Sequence, residues 1–122
     1  GGFNIESAGS FTAQGTAEAP IIFTGEQKYK GYWRGFQFTW SDSVANIIDH
    51  AVVEYAGGVG GNVDGLIGFF GHESLPTHGV VTNTVLRGSV SHGISKHSST
   101  TGEFELGNTF EDIDDLDIHT YN

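Results

Sequence analysis

Apolar residues along this chain form short runs or alternate with polar residues, as in residues 21–24 (IIFT) and 36–39 (FQFT). Runs of this length, rich in β-branched and aromatic side chains, are typical of β-strands. Turn-forming residues such as Gly60-Gly61-Asn62 and Gly107-Asn108 separate the runs. The pattern therefore predicts an all-β chain built from many short, closely spaced strands.

One six-residue pattern recurs along the chain, at residues 48–53 (IDHAVV), 81–86 (VTNTVL) and 106–111 (LGNTFE). The copies start 33 and then 25 residues apart. A parallel β-helix explains such recurrence, because each coil places its inward residues above those of the coil below. Glycine and asparagine are expected at the corners between strands. The larger first offset predicts an insertion, and we assign it to a glycine-rich loop over residues 57–71.

Three consecutive segments carry a resemblance to a known class of repeat. They are residues 19–25 (APIIFTG), 31–36 (GYWRGF) and 46–57 (NIIDHAVVEYAG). They resemble the right-handed parallel β-helix repeats of bacterial secreted and surface proteins, which belong to the pectate-lyase-like solenoids. The resemblance covers residues 3–57 and, more loosely, 79–113. It implies a right-handed parallel β-helix and an extracellular or cell-surface location, but it implies little about activity.

We therefore expect one domain over residues 1–122, an all-β right-handed parallel β-helix of about five coils. A short solenoid exposes apolar core and unpaired strand edges at both ends, so each end needs a cap or a partner. Residues 1–19 are expected to form the first coil or a cap. Residues 111–122 are expected to form an acidic final strand or cap. Stacking of the ends into a homo-oligomer is the competing possibility.

The charge balance narrows the range of partners. The chain has 15 acidic and 5 basic residues, a formal net charge of −10. Nucleic-acid binding requires clustered Lys and Arg, so we expect no nucleic-acid partner. No apolar segment is long enough for a membrane span, so no membrane insertion is expected. The chain begins at Gly1 without a signal peptide, which suggests a mature or excised form.

Seven of the acids lie within residues 103–122, which contain no Lys or Arg. We interpret them as a charged edge that blocks strand-to-strand aggregation. Carboxylates are also the ligands that calcium prefers, so calcium is the one possible cofactor, with four candidate ligands: Asp112, Asp114, Asp115 and Asp117. The six histidines are scattered, and the chain has no cysteine. We therefore expect no transition-metal site and no thiol chemistry.

Three short segments resemble motifs of polygalacturonase-like β-helix glycoside hydrolases. They are residues 62–65 (NVDG), 91–95 (SHGIS) and the pair Asp114-Asp115. If the chain is an enzyme, its catalytic residues would be Asp64, His92, Asp114 and Asp115, because such enzymes pair carboxylates as acid and base. Two departures weaken this interpretation: the acid pair follows the histidine motif here, and the basic sugar-reading segment of that family is missing.

Four aromatic residues lie in one stretch of the sequence near Lys28, Lys30 and Arg34. They are Tyr29, Tyr32, Trp33 and Trp40. Exposed rings of this kind bind sugars, whereas the alternative is that Tyr32 and Trp33 pack over a corner of a coil.

The sequence as a whole favours a non-catalytic β-helix module of a secreted or surface bacterial protein. Its role would be structural, or the binding of a polysaccharide or protein partner. The two alternatives are a polysaccharide lyase or hydrolase and an oligomerisation module that associates through its coil ends.

Overall fold

The computed structural model describes residues 2–57 and 65–122. These residues form thirteen β-strands and no helix. The strands are β1 (Phe3–Ile5), β2 (Thr12–Gln14), β3 (Ile21–Phe23), β4 (Phe36–Thr39), β5 (Ile47–Asp49), β6 (Ala51–Glu54), β7 (Gly65–Phe70), β8 (His78–Thr82), β9 (Val85–Ser89), β10 (His92–His97), β11 (Thr101–Glu103), β12 (Thr109–Ile113) and β13 (Ile118–Tyr121). Because no described residue is helical, none of them belongs to a helix that could cross a membrane.

The strands are stacked in three parallel sheets, and each sheet takes every third strand of the chain. Sheet A has the order β1-β4-β7-β10-β13, sheet B has β2-β5-β8-β11, and sheet C has β3-β6-β9-β12. Each circuit of the three sheets is one coil, so the chain makes four complete coils and begins a fifth with β13. The prediction of an all-β parallel β-helix of about five coils is confirmed.

The hydrophobic core lies inside the coils and is built by alternate residues of each strand. In β4, Phe36 and Phe38 are buried, whereas Gln37 and Thr39 between and beyond them remain half-buried on the outer face. Phe38 is in register with Phe69 of β7, and their rings stack with centroids 4.9 Å apart. At this position, identical residues therefore stack on one another in consecutive coils.

The corner between sheets B and C repeats from coil to coil in an unusual backbone conformation. His50, Asn83 and Gly107 follow one another along the solenoid, with φ of 50°, 50° and 72°. This left-handed region favours glycine, and asparagine and histidine enter it more readily than most other residues. A Cβ atom at Gly107 would lie 2.2 Å from Asn83 Oδ1, so a larger residue there would have to displace the Asn83 side chain.

One of the two predicted repeat offsets is correct, and the other is wrong by one residue. Ile48 pairs with Val81, as the 33-residue offset predicts. The 25-residue offset would place Glu111 beside Leu86, but Phe110 occupies that position. A shift of one residue turns every side chain of a strand to the opposite face, and Phe110 is the residue that packs against the core.

The prediction of a loop over residues 57–71 is wrong for the second half of that range. Gly65–Phe70 is β7, the central strand of sheet A, with Leu66, Ile67 and Phe69 in the core. The glycines suggested a loop, but the apolar residues among them bury more surface in the sheet. Residues 58–64 of the predicted loop lie outside the described residues.

The two ends of the solenoid differ. Within residues 1–19, β1 and β2 open sheets A and B. Phe3, Phe11 and Phe23 surround the buried Phe36 there, and Phe3 is 41% exposed. Within residues 111–122, the end of β12 and all of β13 form the edges of sheets C and A, and most of the acids lie in the turn between these strands.

Candidate functional site

A groove runs across the outer face of sheet A, and four successive strands supply its floor. Trp40 directly follows β4, Phe70 ends β7, His97 ends β10 and Tyr121 ends β13. Thr39 and Phe70 are register partners, and so are His97 and Tyr121. With neighbouring strands about 4.8 Å apart, the four positions span roughly 14 Å. Rings from four neighbouring strands therefore line one depression that runs across the strand direction.

Trp40 forms one end of this groove. Its φ of 55° lies in the left-handed region, which non-glycine residues rarely adopt, and its backbone N–H donates to the carbonyl of Phe70 at 3.0 Å. The indole lies 6.1 Å from the ring of Phe70 and 6.3 Å from the imidazole of His72, and the residue is 41% exposed. A large ring thus stays exposed where β4 ends.

The imidazoles of His97 and His119 and the phenol ring of Tyr121 form the other end, beside His92. The rings of His92 and His119 stack with centroids 4.2 Å apart, and His119 stacks on Tyr121 at 5.8 Å. The ring of His97 meets Tyr121 edge to face at 5.7 Å. Tyr121 Oη donates to the carbonyl of Phe69 at 3.3 Å, and burial raises the pKa of Tyr121 to about 12. The phenol therefore keeps its proton at neutral pH.

The groove consists of two adjoining depressions of about 550 and about 500 Å³. Both are lined by His72, His97 and Asn122, which makes them continuous. We use the name aromatic groove for the surface formed by Trp40, Phe70, His72, His97, His119 and Tyr121. It combines flat apolar rings with nitrogen and oxygen atoms that form hydrogen bonds, a mixture typical of small-molecule sites.

The structure separates the four aromatic residues that the sequence groups together. Tyr29 and Tyr32 contact each other edge to face at 5.2 Å, in the segment between β3 and β4. Trp33 donates from Nε1 to the carbonyl of Glu54 at 2.8 Å and packs against the core. Trp40 alone reaches the aromatic groove.

The residues of the enzyme hypothesis have different partners. His92 Nε2 lies 3.9 Å from Asp115 Oδ2. Asp114 Oδ1 instead contacts Lys30 Nζ at 2.6 Å, and Asp112 contacts the same ammonium at 3.0 Å. Hydrogen bonds to these two carboxylates raise the pKa of Lys30. Asp64 lies outside the described residues.

The described part of the chain contains no preformed calcium site. No group of three or more His, Asp or Glu side chains is placed there to hold a metal ion. Asp112 and Asp114 share the single ammonium of Lys30, and Asp115 lies toward His92. Most of the candidate ligands therefore have contacts within the protein.

Sequence reasoning missed most of the aromatic groove. Phe70, His97 and Tyr121 are far apart in the chain, and the histidines look scattered. The signal that could have found them is the coil register, which places one residue of each coil beside its equivalent in the next coil. A one-residue error in that register would have moved all of them to the wrong face.

Comparisons with protein-family models, with curated proteins and with solved structures found no match to this chain.

Proposed function

We propose that this chain is a non-catalytic β-helix module that binds a carbohydrate in the aromatic groove. The observation that carries the proposal is the line of Trp40, Phe70, His97 and Tyr121 across four strands of one sheet. The resemblance of residues 3–57 to repeats of bacterial secreted and surface proteins supports an extracellular or cell-surface setting for such binding.

Carbohydrates match this surface chemically. The C–H faces of sugar rings are apolar and lie flat on aromatic rings, whereas their hydroxyls need hydrogen-bond donors and acceptors. Trp40 and Phe70 offer the rings, and the imidazoles and Asn122 offer the polar atoms. Because the rings are held by a sheet, little side-chain freedom is lost when a ligand binds.

A hydrolase or lyase is the second candidate, and the contact between His92 and Asp115 is the observation that favours it. A glycoside hydrolase needs two carboxylates flanking the bond to be broken. Asp114, the other acid of the pair, contacts Lys30 Nζ at 2.6 Å instead. We therefore favour binding without catalysis, and an Asp115→Asn variant that lost polyuronide cleavage would reverse this preference.

An oligomerisation role through coil ends is favoured by one observation, the exposed ring of Phe3 beside Phe11 and Phe23. Sedimentation at several concentrations tests it, because an end-to-end assembly gains mass with concentration. A monomer at every concentration would remove this role.

A glycan array with two matched variants tests carbohydrate binding. Trp40→Ala removes a ring of the aromatic groove, and Tyr29→Ala removes a comparably exposed ring elsewhere, since Tyr29 is 58% exposed. We expect the wild type and Tyr29→Ala to bind the same glycans and Trp40→Ala to lose them. Hits that do not depend on Trp40, or no hits for the wild type, would overturn the proposal.

A further inference from the structure

The imidazole of His97 is held in one tautomer by its neighbours. The backbone N–H of Ser99 donates to His97 Nδ1 at 3.1 Å, and Ser99 Oγ lies 2.7 Å from the same nitrogen. A backbone N–H can only donate, so Nδ1 must present its lone pair. A neutral imidazole with an accepting Nδ1 carries its proton on Nε2. His97 therefore offers a fixed N–H donor.

This donor belongs to the aromatic groove. His97 lines both of its depressions, and Nδ1 is already engaged by Ser99. The remaining polar atom of the ring is Nε2, on the far edge from the backbone. Its proton can bond only to an acceptor, such as a hydroxyl or ring oxygen of a bound sugar.

The charge of the groove favours neutral over acidic sugars as ligands. The described residues that line it include no Lys or Arg, and the one acidic side chain among them is that of the exposed Glu73. Recognition of a uronate or sulfate group normally uses a cationic side chain, most often arginine. The net charge of −10 also repels a polyanion at a distance.

We infer that the ligand of the aromatic groove is a neutral oligosaccharide and that His97 Nε2–H donates to one of its oxygens. This inference rests on the carbohydrate-binding function proposed above and adds the ligand class and a residue that sets specificity. The roughly 14 Å line of rings, three strand spacings long, fits a short oligosaccharide better than a single sugar.

The test measures calorimetric binding of cellotetraose, xylotetraose, mannotetraose and the charged tetragalacturonate. The proteins are the wild type, Trp40→Ala, His97→Gln and His97→Asn. The amide nitrogen of glutamine takes the place of Nε2, whereas that of asparagine takes the place of Nδ1. Circular dichroism checks that each variant is folded.

We expect at least one neutral tetrasaccharide to bind in a Trp40-dependent manner and tetragalacturonate to bind much more weakly. His97→Asn should weaken binding about tenfold, the factor that one neutral hydrogen bond contributes. His97→Gln should stay close to the wild type. In the wild type, nitrogen-15 NMR should show Nδ1 unprotonated and Nε2 protonated, which tests the tautomer without any substitution.

The possible failures are distinguishable. If tetragalacturonate binds as tightly as the best neutral sugar and depends on Trp40, the neutral-ligand inference is wrong while carbohydrate binding stands. If His97→Asn binds like the wild type, or if Nδ1 carries the proton, the role of His97 is wrong. If no tetrasaccharide binds, or if Trp40→Ala binds as tightly as the wild type, both the inference and the proposed function are wrong.

Discussion

Arg87 donates from Nη1 to Glu54 Oε2 at 2.6 Å, although the two residues lie 33 positions apart in the chain. They are register partners on the outer face of sheet C, and Arg87 Nε donates to Glu111 of the next coil at 3.0 Å. Hydrogen bonds to Glu111 and Glu54 raise the pKa of Arg87. One guanidinium therefore joins three consecutive coils, in addition to the backbone bonds of the sheet.

Arg87→Ala should lower the free energy of unfolding by about 1–2 kcal/mol, because it leaves the mostly buried carboxylate of Glu54 without its cation. We place the loss at the lower end for such a pair because the guanidinium is 35% exposed and partly screened by water. Urea unfolding followed by circular dichroism measures it. Lys30→Ala, which removes a more exposed ion pair, is the control and should change stability much less. Equal losses in the two variants would contradict this account.

Neighbouring residues of sheet A should differ sharply in their effect on stability. Phe38 is 1% exposed and stacks on Phe69, so Phe38→Ala should cost about 3–5 kcal/mol. Phe70 is next to Phe69 but on the outer face, so Phe70→Ala should lower the free energy of unfolding far less. The same variant should lose carbohydrate binding. Thermal unfolding of both variants checks the assignment of inner and outer faces. A larger loss at Phe70 than at Phe38 would mean that the register of sheet A is wrong.

Asp49 should contribute stability that disappears in acid. Burial opposes its charge, but hydrogen bonds from His50, Thr82 and Asn83 outweigh that effect and lower the pKa of Asp49 below the ordinary 3.8. A carboxyl with a lowered folded-state pKa stabilises the fold fully above its unfolded pKa and loses that contribution as the pH falls through the folded value. The wild type should therefore exceed Asp49→Asn in stability at neutral pH, and the difference should shrink below pH 3.8. Urea unfolding across this pH range measures it, and a difference that stays constant would show that the charge of Asp49 contributes nothing.

The fold could be predicted from the sequence because its core repeats. Residues 48–53 and 81–86 share a pattern of apolar and polar residues, and that pattern alone gave the correct pairing of Ile48 with Val81. The offset to the next copy is wrong by one residue because it aligns Asn83 with Asn108. That alignment ignores which residues of the strand face the core. In the structure, Asn108 Oδ1 instead accepts from the backbone N–H of Thr84.

The aromatic groove could not be predicted in the same way. Its residues come from four coils of unequal length, so no fixed spacing in the sequence connects Phe70, His97 and Tyr121. Trp33 and Trp40 lie in one aromatic stretch of the sequence, yet one packs against the core and the other lies in the groove. Which residue reaches the groove depends on the coil register, and the register depends on packing over the whole solenoid.

The central claim is that a carbohydrate binds in the aromatic groove, and mapping by NMR tests it most directly. The neutral tetrasaccharide that binds best in calorimetry is titrated into the nitrogen-15-labelled wild type, and backbone amide and indole signals are followed. We predict that the shifted signals are the Trp40 indole and the amides of Phe70, His97 and Tyr121, while those of Tyr29 and Tyr32 stay unchanged. Shifts centred on Tyr29 and Tyr32, with the Trp40 indole unmoved, would contradict the account.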